Sequence, residues 1–314
     1  MNNTRVFLKG RDTSAMNDNP ASATPKAPSS PASWNASPQG LAGADGRLGR
    51  PIRKIAFAGK GGVGKTALAA LFGDWLARSG QDVTLVDADT ALSLGAACGL
   101  EPEALPASLA EREDLVRERI GDGVYLNLTP RADDLPEAIR VAVPVGHGPL
   151  YGPRAGDKRL LVMGGISSGG AGCACAAGHL LQAMLAHVLT ARDAWTLIDC
   201  EAGVEHLGRG TVADVDALCV VSEASARSLA VAGRVSAMAG QLGLTRQVLV
   251  VTGADPAELF ALPLPPGLPE VRLAFPFLPG LAARQATSGS VLSLPEVGQA
   301  DAACAALAEA LGRT

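Results

Sequence analysis

Short apolar runs alternate with amphipathic stretches from residue 51 to the end of the chain. The runs lie at 55–58, 83–86, 160–163, 194–198, 217–221, 248–251 and 271–275. Continuous apolar runs of this length are typical of strands that are buried on both faces of a parallel sheet. Helical patterns lie between or after them, at 67–78, 225–242 and about 296–311. The alternation predicts an α/β fold, a mostly parallel twisted sheet with helices on both faces.

Other stretches are less regular. The charged residues at 107–119 predict a surface helix, and the apolar residues at 124–128 predict one more strand. A glycine-rich stretch at 143–157 predicts a loop. The pattern that ends at His187 predicts a further helix.

Residues 1–50 differ from the rest of the chain in composition. They are rich in Ala, Ser, Pro and Asn, and their prolines are incompatible with a long helix. A segment of this kind cannot bury enough apolar surface to offset the conformational entropy that it would lose on folding. We therefore expect a disordered extension at 1–50 and one folded domain at 51–314.

Composition and charge limit the class of protein. The chain has 314 residues, a net charge of -4 and a pI of 5.6. An acidic chain with 4% aromatic residues does not fit a dedicated nucleic-acid surface, which is normally basic. No apolar run reaches the length of a membrane span, and the polar N-terminus lacks the apolar region of a secretory signal. We expect a cytoplasmic protein whose six cysteines are thiols, metal ligands or redox groups rather than structural disulfides.

The stretch from Gly59 to Thr66 reads G-K-G-G-V-G-K-T and fits the phosphate-loop pattern G-x-x-x-x-G-K-[ST]. It follows a predicted strand and precedes a predicted helix, which is the context that this motif requires. Successive backbone N–H groups and the helix N-terminus can then surround phosphate oxygens. Lys65 supplies a charge for the β- and γ-phosphates of ATP, and Thr66 supplies a hydroxyl for Mg²⁺. The residues expected to bind the nucleotide are Gly59, Lys60, Gly61, Gly62, Val63, Gly64, Lys65, Thr66 and Ala67.

A dinucleotide site is the alternative interpretation of the same glycines. Three of them also match G-x-G-x-x-G, and Asp87 and Asp89 follow at roughly the distance of about 20 residues that this fingerprint uses. The pair Lys65-Thr66 favours the phosphate loop, because a dinucleotide site does not need a lysine at the start of the helix.

Lys60 gives the loop an unusual form. Most phosphate loops have no lysine at this position, and K-G-G-x-G-K-T resembles the MinD/ParA group of nucleotide-dependent dimerising ATPases, which includes the nitrogenase iron protein. In that group the early lysine reaches across a dimer interface to the nucleotide of the partner subunit. The resemblance implies a homodimer and a catalytic role for Lys60, and a solvated loop lysine is the alternative.

Acidic residues follow two of the predicted strands, at the sheet edge where open parallel sheets bind ligands. Asp87 and Asp89 follow one strand, and Asp199 follows another. By resemblance to the MinD/ParA group, Asp89 would help to place the attacking water and Asp87 would support the Mg²⁺ shell. Asp199 would hold Mg²⁺ together with Thr66, and the backbone near Gly203 would sense the γ-phosphate. A helix cap is the alternative role for the first two carboxylates.

A second motif, Cys173-Ala174-Cys175, follows a run of glycine and serine residues. Two thiolates at i and i+2 can bind one soft or borderline metal ion together, but a closed tetrahedral thiolate site needs four ligands. A twofold dimer would supply the other two, and Lys60 also indicates a dimer. Two small buried thiols are the alternative. His179 lies nearby, but a lone histidine at a helix start is more often structural.

Several short motifs along residues 52–314 carry a closer resemblance. They are the phosphate loop, V-D-A-D at 86–89, P-R-A-D-D-L-P at 130–136, L-L-V-M-G at 160–164, G-C-A-C at 172–175 and D-C-E-A-G-V-E-H-L-G-R-G-T at 199–211. Together they resemble the carbon monoxide dehydrogenase accessory ATPases, the CooC-type nickel-insertion proteins within the MinD/ParA group. The resemblance implies an ATP-gated homodimer that carries Ni²⁺, or Zn²⁺ in its place, between paired Cys173 and Cys175. It also implies a client, a nickel-containing carbon monoxide dehydrogenase or another nickel enzyme.

The chain departs from the family pattern in three places, and two other functions are alternatives. The first departure is the extension at 1–50, which is not part of the pattern. Residues 176–178 lack the Pro and acidic residues of the family, and 251–253 lack the Asn-Lys that commonly meets adenine. One alternative function is a MinD/ParA-type positioning or partitioning ATPase on membrane or DNA. The acidic charge and a last helix without a basic face argue against it. The other alternative is an iron–sulfur ATPase like the nitrogenase iron protein, whose cysteines lie far apart in sequence.

Overall fold

The computed structural model describes residues 52–121, 127, 134–164, 180, 183–188, 194–201, 215–261, 264–312 and 314. They belong to one of the two units into which the chain divides, residues 38–314. The predicted extension at 1–50, the cysteine motif at 173–175 and most of the predicted strand at 124–128 lie outside the described residues.

One sheet of eight strands organises the described part of the chain. The strands are β1 (Lys54–Ala58), β2 (Val83–Ala88), β3 (Val141–Ala142), β4 (Lys158–Val162), β5 (Trp195–Cys200), β6 (Ala217–Glu223), β7 (Gln247–Thr252) and β8 (Val271–Phe275). Their order is β3-β4-β2-β5-β1-β6-β7-β8, and every pairing is parallel except that of β3 with β4. The predicted α/β fold with a mostly parallel sheet is therefore confirmed.

Helices connect these strands. They are α1 (Lys65–Arg78), α2 (Leu94–Ala97), α3 (Glu113–Ile120), α4 (Leu135–Ile139), α5 (Ala226–Gln241), α6 (Pro256–Ala261), α7 (Pro279–Gln285) and α8 (Val297–Leu311). Residues 180 and 183–188 are also helical, in agreement with the helix predicted to end at His187. No helix among the described residues is both long and apolar enough to span a membrane.

One predicted helix is wrong, and one strand was not predicted. The stretch at 107–119 is not one helix but a 3₁₀ turn, Leu109–Glu111, followed by α3. Arg112 separates the two pieces because its backbone, at φ -83 and ψ 71, lies outside the helical region. The edge strand β3 was not predicted, since an apolar pattern of two residues is too short to recognise.

Apolar clusters lie on both faces of the sheet. On one face α1 packs against β2, β5 and α8, and nearly all of its residues are buried. Its Phe72 ring lies 5.6 Å from the ring of Trp75 and 6.3 Å from that of Trp195. Gly73 lets the helix approach the sheet closely, because a Cβ atom there would lie 3.1 Å from Leu85. The helix that follows the phosphate loop is thus fixed by the core.

Residues 143–157 form neither helix nor strand, as predicted. They pass over the C-terminal end of α1, where the N–H groups of Tyr151 and Gly156 donate to backbone oxygens of Arg78 and Ala77. A buried ion network lies beneath them. Nζ of Lys158 is 2.7 Å from Asp74, and the guanidinium of Arg78 binds both Asp74 and Asp301. Arg78 also donates to a backbone oxygen of the segment at 3.1 Å. The network therefore joins α1, α8, β4 and this loop.

Candidate nucleotide site

The phosphate loop leaves the carboxyl end of β1 and turns into α1. Its first residue, Gly59, lies against β6, where a Cβ atom would be 2.1 Å from the backbone oxygen of Val221. Gly64 has a left-handed backbone at φ 92 and immediately precedes Lys65, the first helical residue. The strand–loop–helix context that the motif requires is therefore confirmed.

Lys65 lies close to the predicted catalytic carboxylate. It is only 5% exposed, and its Nζ is 3.8 Å from Oδ2 of Asp89. The other oxygen of Asp89 accepts the N–H of Ala91 at 2.9 Å, which orders the loop after β2. Lys60 is half-buried and Ala67 is buried at the helix start. The nucleotide-binding and first acidic residues thus form one site.

The hydroxyl of Thr66 donates a hydrogen bond of 2.5 Å to Oδ2 of Asp199, at the end of β5. Oδ1 of Asp199 is buried and has no hydrogen-bond partner among the described residues. A hydroxyl and a carboxylate with an unsatisfied oxygen suit Mg²⁺, which prefers oxygen ligands. The two predicted magnesium ligands therefore fit the ion that accompanies ATP, which neutralises charge on the phosphates when bound.

Two buried carboxyl groups lie side by side at this edge of the sheet. Asp87 of β2 and Asp199 of β5 are partners in register, and neither is exposed to solvent. Burial raises the pKa of Asp87 to about 6. Burial also raises the pKa of Asp199 to about 7, and the nearby charge of Asp87 acts in the same direction. A cation between them would relieve this unfavourable arrangement.

The loop after β2 is held from two sides. Asp87 accepts the backbone N–H of Leu94 at 3.0 Å and that of Asp89 at 3.3 Å. On the other side the hydroxyl of Thr90 donates to Glu201, which follows β5, at 2.8 Å. The two predicted switch segments are therefore in direct contact. This contact could not be predicted from the sequence, because nothing in the spacing of Thr90 and Glu201 marks them as a pair.

A cavity of about 260 Å³ adjoins the loop. Its walls are the phosphate loop, the first turns of α1, the carboxyl ends of β6, β7 and β8, and α7. The hydroxyl of Thr252 donates to the backbone oxygen of Val63 at 2.8 Å and so joins the end of β7 to the loop. The sequence showed only that the usual Asn-Lys is lacking here. The sequence also contains Phe277 after the last strand, an aromatic residue at this cavity that was not predicted to belong to the site.

The order of strands places these parts along one edge. The acidic residues follow β2 and β5 on one side of β1, and the cavity lies at β6 to β8 on the other side. Because parallel sheets bind ligands beyond the carboxyl ends of their strands, a nucleotide with its phosphates in the loop would have its Mg²⁺ on the side of β5 and would extend its base toward the cavity on the side of β8.

The described cysteines are structural. Four are free and buried: Cys98, Cys200, Cys219 and Cys304. Burial raises the pKa of each thiol, that of Cys98 to about 12, so these groups stay protonated. Within the described residues no three His, Cys, Asp or Glu side chains are grouped to hold a metal ion by themselves. The predicted nickel or zinc ligands Cys173 and Cys175, together with His179 and Gly203, lie outside the described residues.

The chain is similar in sequence to known nucleotide-binding proteins, in agreement with the phosphate loop and the carboxylates beside it. The family model of the CobQ/CobB/MinD/ParA nucleotide binding domain matches residues 54–260. Carbon monoxide dehydrogenase accessory protein CooC of Rhodospirillum rubrum is 40% identical over 197 residues, which cover 61% of this chain and 70% of that protein. An uncharacterised ATP-binding protein of Methanocaldococcus jannaschii is 38% identical over 203 residues, or 63% of this chain and 74% of that protein.

Solved structures share the fold at low sequence identity. A ParA family ATPase from Chlorobium tepidum TLS has a TM-score of 0.55 at 18% identity, and the match covers 82% of this chain and 98% of that one. A chain of the MinC:MinD cell division protein complex of Aquifex aeolicus has a TM-score of 0.54 at 18% identity, with 81% and 94% covered. The chain therefore belongs to the CobQ/CobB/MinD/ParA family of nucleotide-binding domains, and within it to the CooC-type P-loop ATPases.

Proposed function

We propose that this ATPase is a homodimeric metallochaperone of the cytoplasm, which couples ATP hydrolysis to nickel insertion into a carbon monoxide dehydrogenase-type enzyme. The observation that carries the proposal is the distribution of cysteines. Four of the six are buried in the fold as neutral thiols, which leaves the Cys173-x-Cys175 pair for metal chemistry. The 40% identity to the CooC accessory protein supports the same client.

The number of ligands supports a dimer. One chain offers two closely spaced thiolates. A closed tetrahedral site for Zn²⁺, which can take the place of Ni²⁺, needs four ligands. Two copies related by a twofold axis provide them, so metal binding and dimerisation would be linked. Lys60 supports the same assembly, because in the MinD/ParA group the corresponding lysine acts on the nucleotide of the partner subunit.

ATP would drive the cycle through the residues at the sheet edge. Lys65 binds the phosphates, Thr66 and Asp199 hold the ion that accompanies them, and Asp89 orients the attacking water. The bond between Thr90 and Glu201 links the two switch segments, so a change at the γ-phosphate can pass from one to the other. We expect slow turnover, since such a switch paces a delivery cycle.

Metal analysis with size measurement tests the proposal. Full-length protein purified without oxygen should bind about one Ni²⁺ or Zn²⁺ per dimer, measured by mass spectrometry of the metal and light scattering. Cys173→Ser and Cys175→Ser should each lose the metal. Cys219→Ala, which removes a thiol buried in the core, is the control that should keep it. Full metal affinity in Cys173→Ser would exclude this site.

A client assay tests the delivery step. Nickel-free carbon monoxide dehydrogenase should gain activity faster with this protein, Ni²⁺ and ATP than with Ni²⁺ alone, and Cys173→Ser should abolish the gain. An absorbance spectrum of the anaerobic protein separates nickel delivery from the iron–sulfur alternative, which would show cluster bands. The positioning alternative predicts ATP-dependent binding to DNA or anionic vesicles. It is disfavoured by α8, whose apolar side chains are buried against the sheet and α1.

A further inference from the structure

Phe277 lies at the cavity beside the phosphate loop with most of its ring in solvent. It is 63% exposed, and the other exposed large apolar residues of the described chain are Leu150 and Tyr151. A single exposed apolar side chain needs no explanation by itself. Phe277 differs from the other two because it lines the cavity, which they do not.

The cavity is continuous with the place where phosphates bind. Residues 62–64 of the phosphate loop line it, and so do the last residue of β8, Phe275, and residues 276–278 after it. Its volume of about 260 Å³ has room for the ring system of a purine. A nucleotide whose phosphates lie in the loop therefore has its base within reach of the Phe277 ring.

The polar side chains of this cavity are few and poorly placed to read a base. The hydroxyl proton of Thr252 is used in the bond to Val63. Glu223 and Gln285 also line the cavity, but both are exposed, and water competes for hydrogen bonds at such groups. The next residue of the strand end, Gly253, has no side chain. A base bound here would meet aliphatic walls, the buried ring of Phe275 and the exposed ring of Phe277, but no buried side-chain donor or acceptor.

We infer that Phe277 is the base-stacking residue of the nucleotide site, and that the site holds the base by stacking rather than recognising adenine by side-chain hydrogen bonds. Stacking tolerates any base, because every base has a π face. ADP and GDP should then bind with affinities that differ by less than about tenfold. The inference deepens the ATP binding of the family and rests on it, but it does not depend on the metal or the client.

Calorimetry on the full-length protein with Mg²⁺ tests the inference, with ADP, GDP and inorganic tripolyphosphate as ligands. Phe277→Ala should weaken the binding of ADP and GDP by about tenfold or more, and it should leave tripolyphosphate binding unchanged because the phosphate loop is intact. Phe277→Trp should keep the affinity and show quenched fluorescence when ADP binds. Leu150→Ala, which removes an exposed side chain outside the cavity, should change none of these affinities.

Three results would overturn the inference. One is unchanged ADP affinity in Phe277→Ala. Another is an equal loss of tripolyphosphate binding, which would mean that Phe277 supports the loop rather than the base. The third is a preference of the wild-type protein for ADP over GDP of more than about tenfold. None of these measurements involves nickel, so they remain interpretable if the delivery function fails its own test.

Discussion

Thr66 and Asp199 are 133 positions apart in sequence, yet their side chains share a hydrogen bond of 2.5 Å. The bond joins the first turn of the phosphate-loop helix to the carboxyl end of β5. Because Oδ1 of Asp199 is buried without a partner among the described residues, the carboxylate is positioned but only half satisfied. A cation that arrives with the nucleotide phosphates would complete its coordination.

Replacement of this carboxylate by an amide should separate binding from hydrolysis. Asp199→Asn keeps the size of the side chain but removes the charge that Mg²⁺ needs. We expect Mg²⁺-dependent ATP hydrolysis to fall by about a hundredfold or more, while ADP binding without Mg²⁺ stays near the wild-type value. Phosphate release and calorimetry measure the two quantities. Glu103→Gln, which removes an exposed carboxylate, is the control for loss of charge. Unchanged hydrolysis in Asp199→Asn would contradict the assignment.

The buried carboxyl pair should make the nucleotide-free protein less stable as pH rises. The pKa values of about 6 for Asp87 and about 7 for Asp199 lie above the 3.8 of an unperturbed carboxyl. The folded state thus holds these protons more tightly than the unfolded chain does. The stability that these two protonated carboxyl groups contribute is fully present below about pH 4 and is lost as the pH rises through 6 and 7.

Urea unfolding across this pH range measures the effect. The free energy of unfolding should decline from about pH 4 to about pH 7 and then level off, as far as these two groups determine it. The decline should be smaller in Asp199→Asn, which has no proton to lose. Equal pH slopes for this variant and the wild type would show that Asp199 is not perturbed.

Replacement of the two loop lysines by alanine should affect nucleotide binding and hydrolysis differently. Lys65 is buried beside Asp89 at the helix start, so Lys65→Ala should abolish nucleotide binding. Lys60 is half-buried. Because we propose that its charge acts on the nucleotide of the partner subunit, Lys60→Ala should bind nucleotide but not hydrolyse it. Calorimetry and phosphate release distinguish these outcomes, and normal hydrolysis by both variants would refute the site.

A mixture of the two lysine variants tests whether Lys60 acts across the dimer. In a mixed dimer, the Lys60→Ala subunit retains Lys65 and receives an intact Lys60 from its partner. Hydrolysis should therefore recover partly on mixing, although each variant alone is inactive. If Lys60 acts within its own subunit, every site in the mixture lacks one lysine and activity stays absent.

The first glycine of the loop should be required for folding and not only for binding. A Cβ atom at Gly59 would lie 2.1 Å from the backbone oxygen of Val221, which cannot move without disturbing β6. We expect Gly59→Ala to lower the free energy of unfolding by about 1–3 kcal/mol or more. Gly61→Ala is the matched control, since nothing lies within 4 Å of its Cβ position. Equal stability of the two variants in urea would contradict this contact.

Continuous apolar runs made most of the sheet predictable, because parallel strands are buried on both faces and their sequences show it. β7, with Val248 to Val251 in its centre, is an example. β3 was missed, since two residues at an antiparallel edge need no such run. The phosphate loop was predictable because its chemistry depends on residues that are close in sequence.

Contacts between distant positions were not predictable in the same way. Thr252 and Val63 are 189 positions apart, and no local pattern marks the hydroxyl that joins the end of β7 to the loop. Phe277 could be recognised only after the cavity beside it was seen. The ion network of α1 did leave a trace, since Asp74 and Arg78 have the i, i+4 spacing of a helical ion pair. Nothing in the sequence showed that this pair is buried.

The buried ion network of Asp74, Lys158, Arg78 and Asp301 should stabilise the fold at a distance from the nucleotide site. Burial acts to raise the pKa of Asp74, but the charge and hydrogen bond of Lys158, together with bonds from Gly146 and Arg78, outweigh it and lower the pKa. Asp74→Asn leaves Lys158 buried without its counter-ion, and we expect a loss of about 3–5 kcal/mol in the free energy of unfolding.

The double variant Asp74→Leu/Lys158→Met should lose less free energy of unfolding than the sum of its two single changes. No unpaired charge remains at this position in the double variant, and Arg78 keeps its ion pair with Asp301. Asp114→Asn, which breaks the exposed pair with Arg112, is the control that should unfold like the wild type. Additive losses in the double variant would show that the buried charges do not interact.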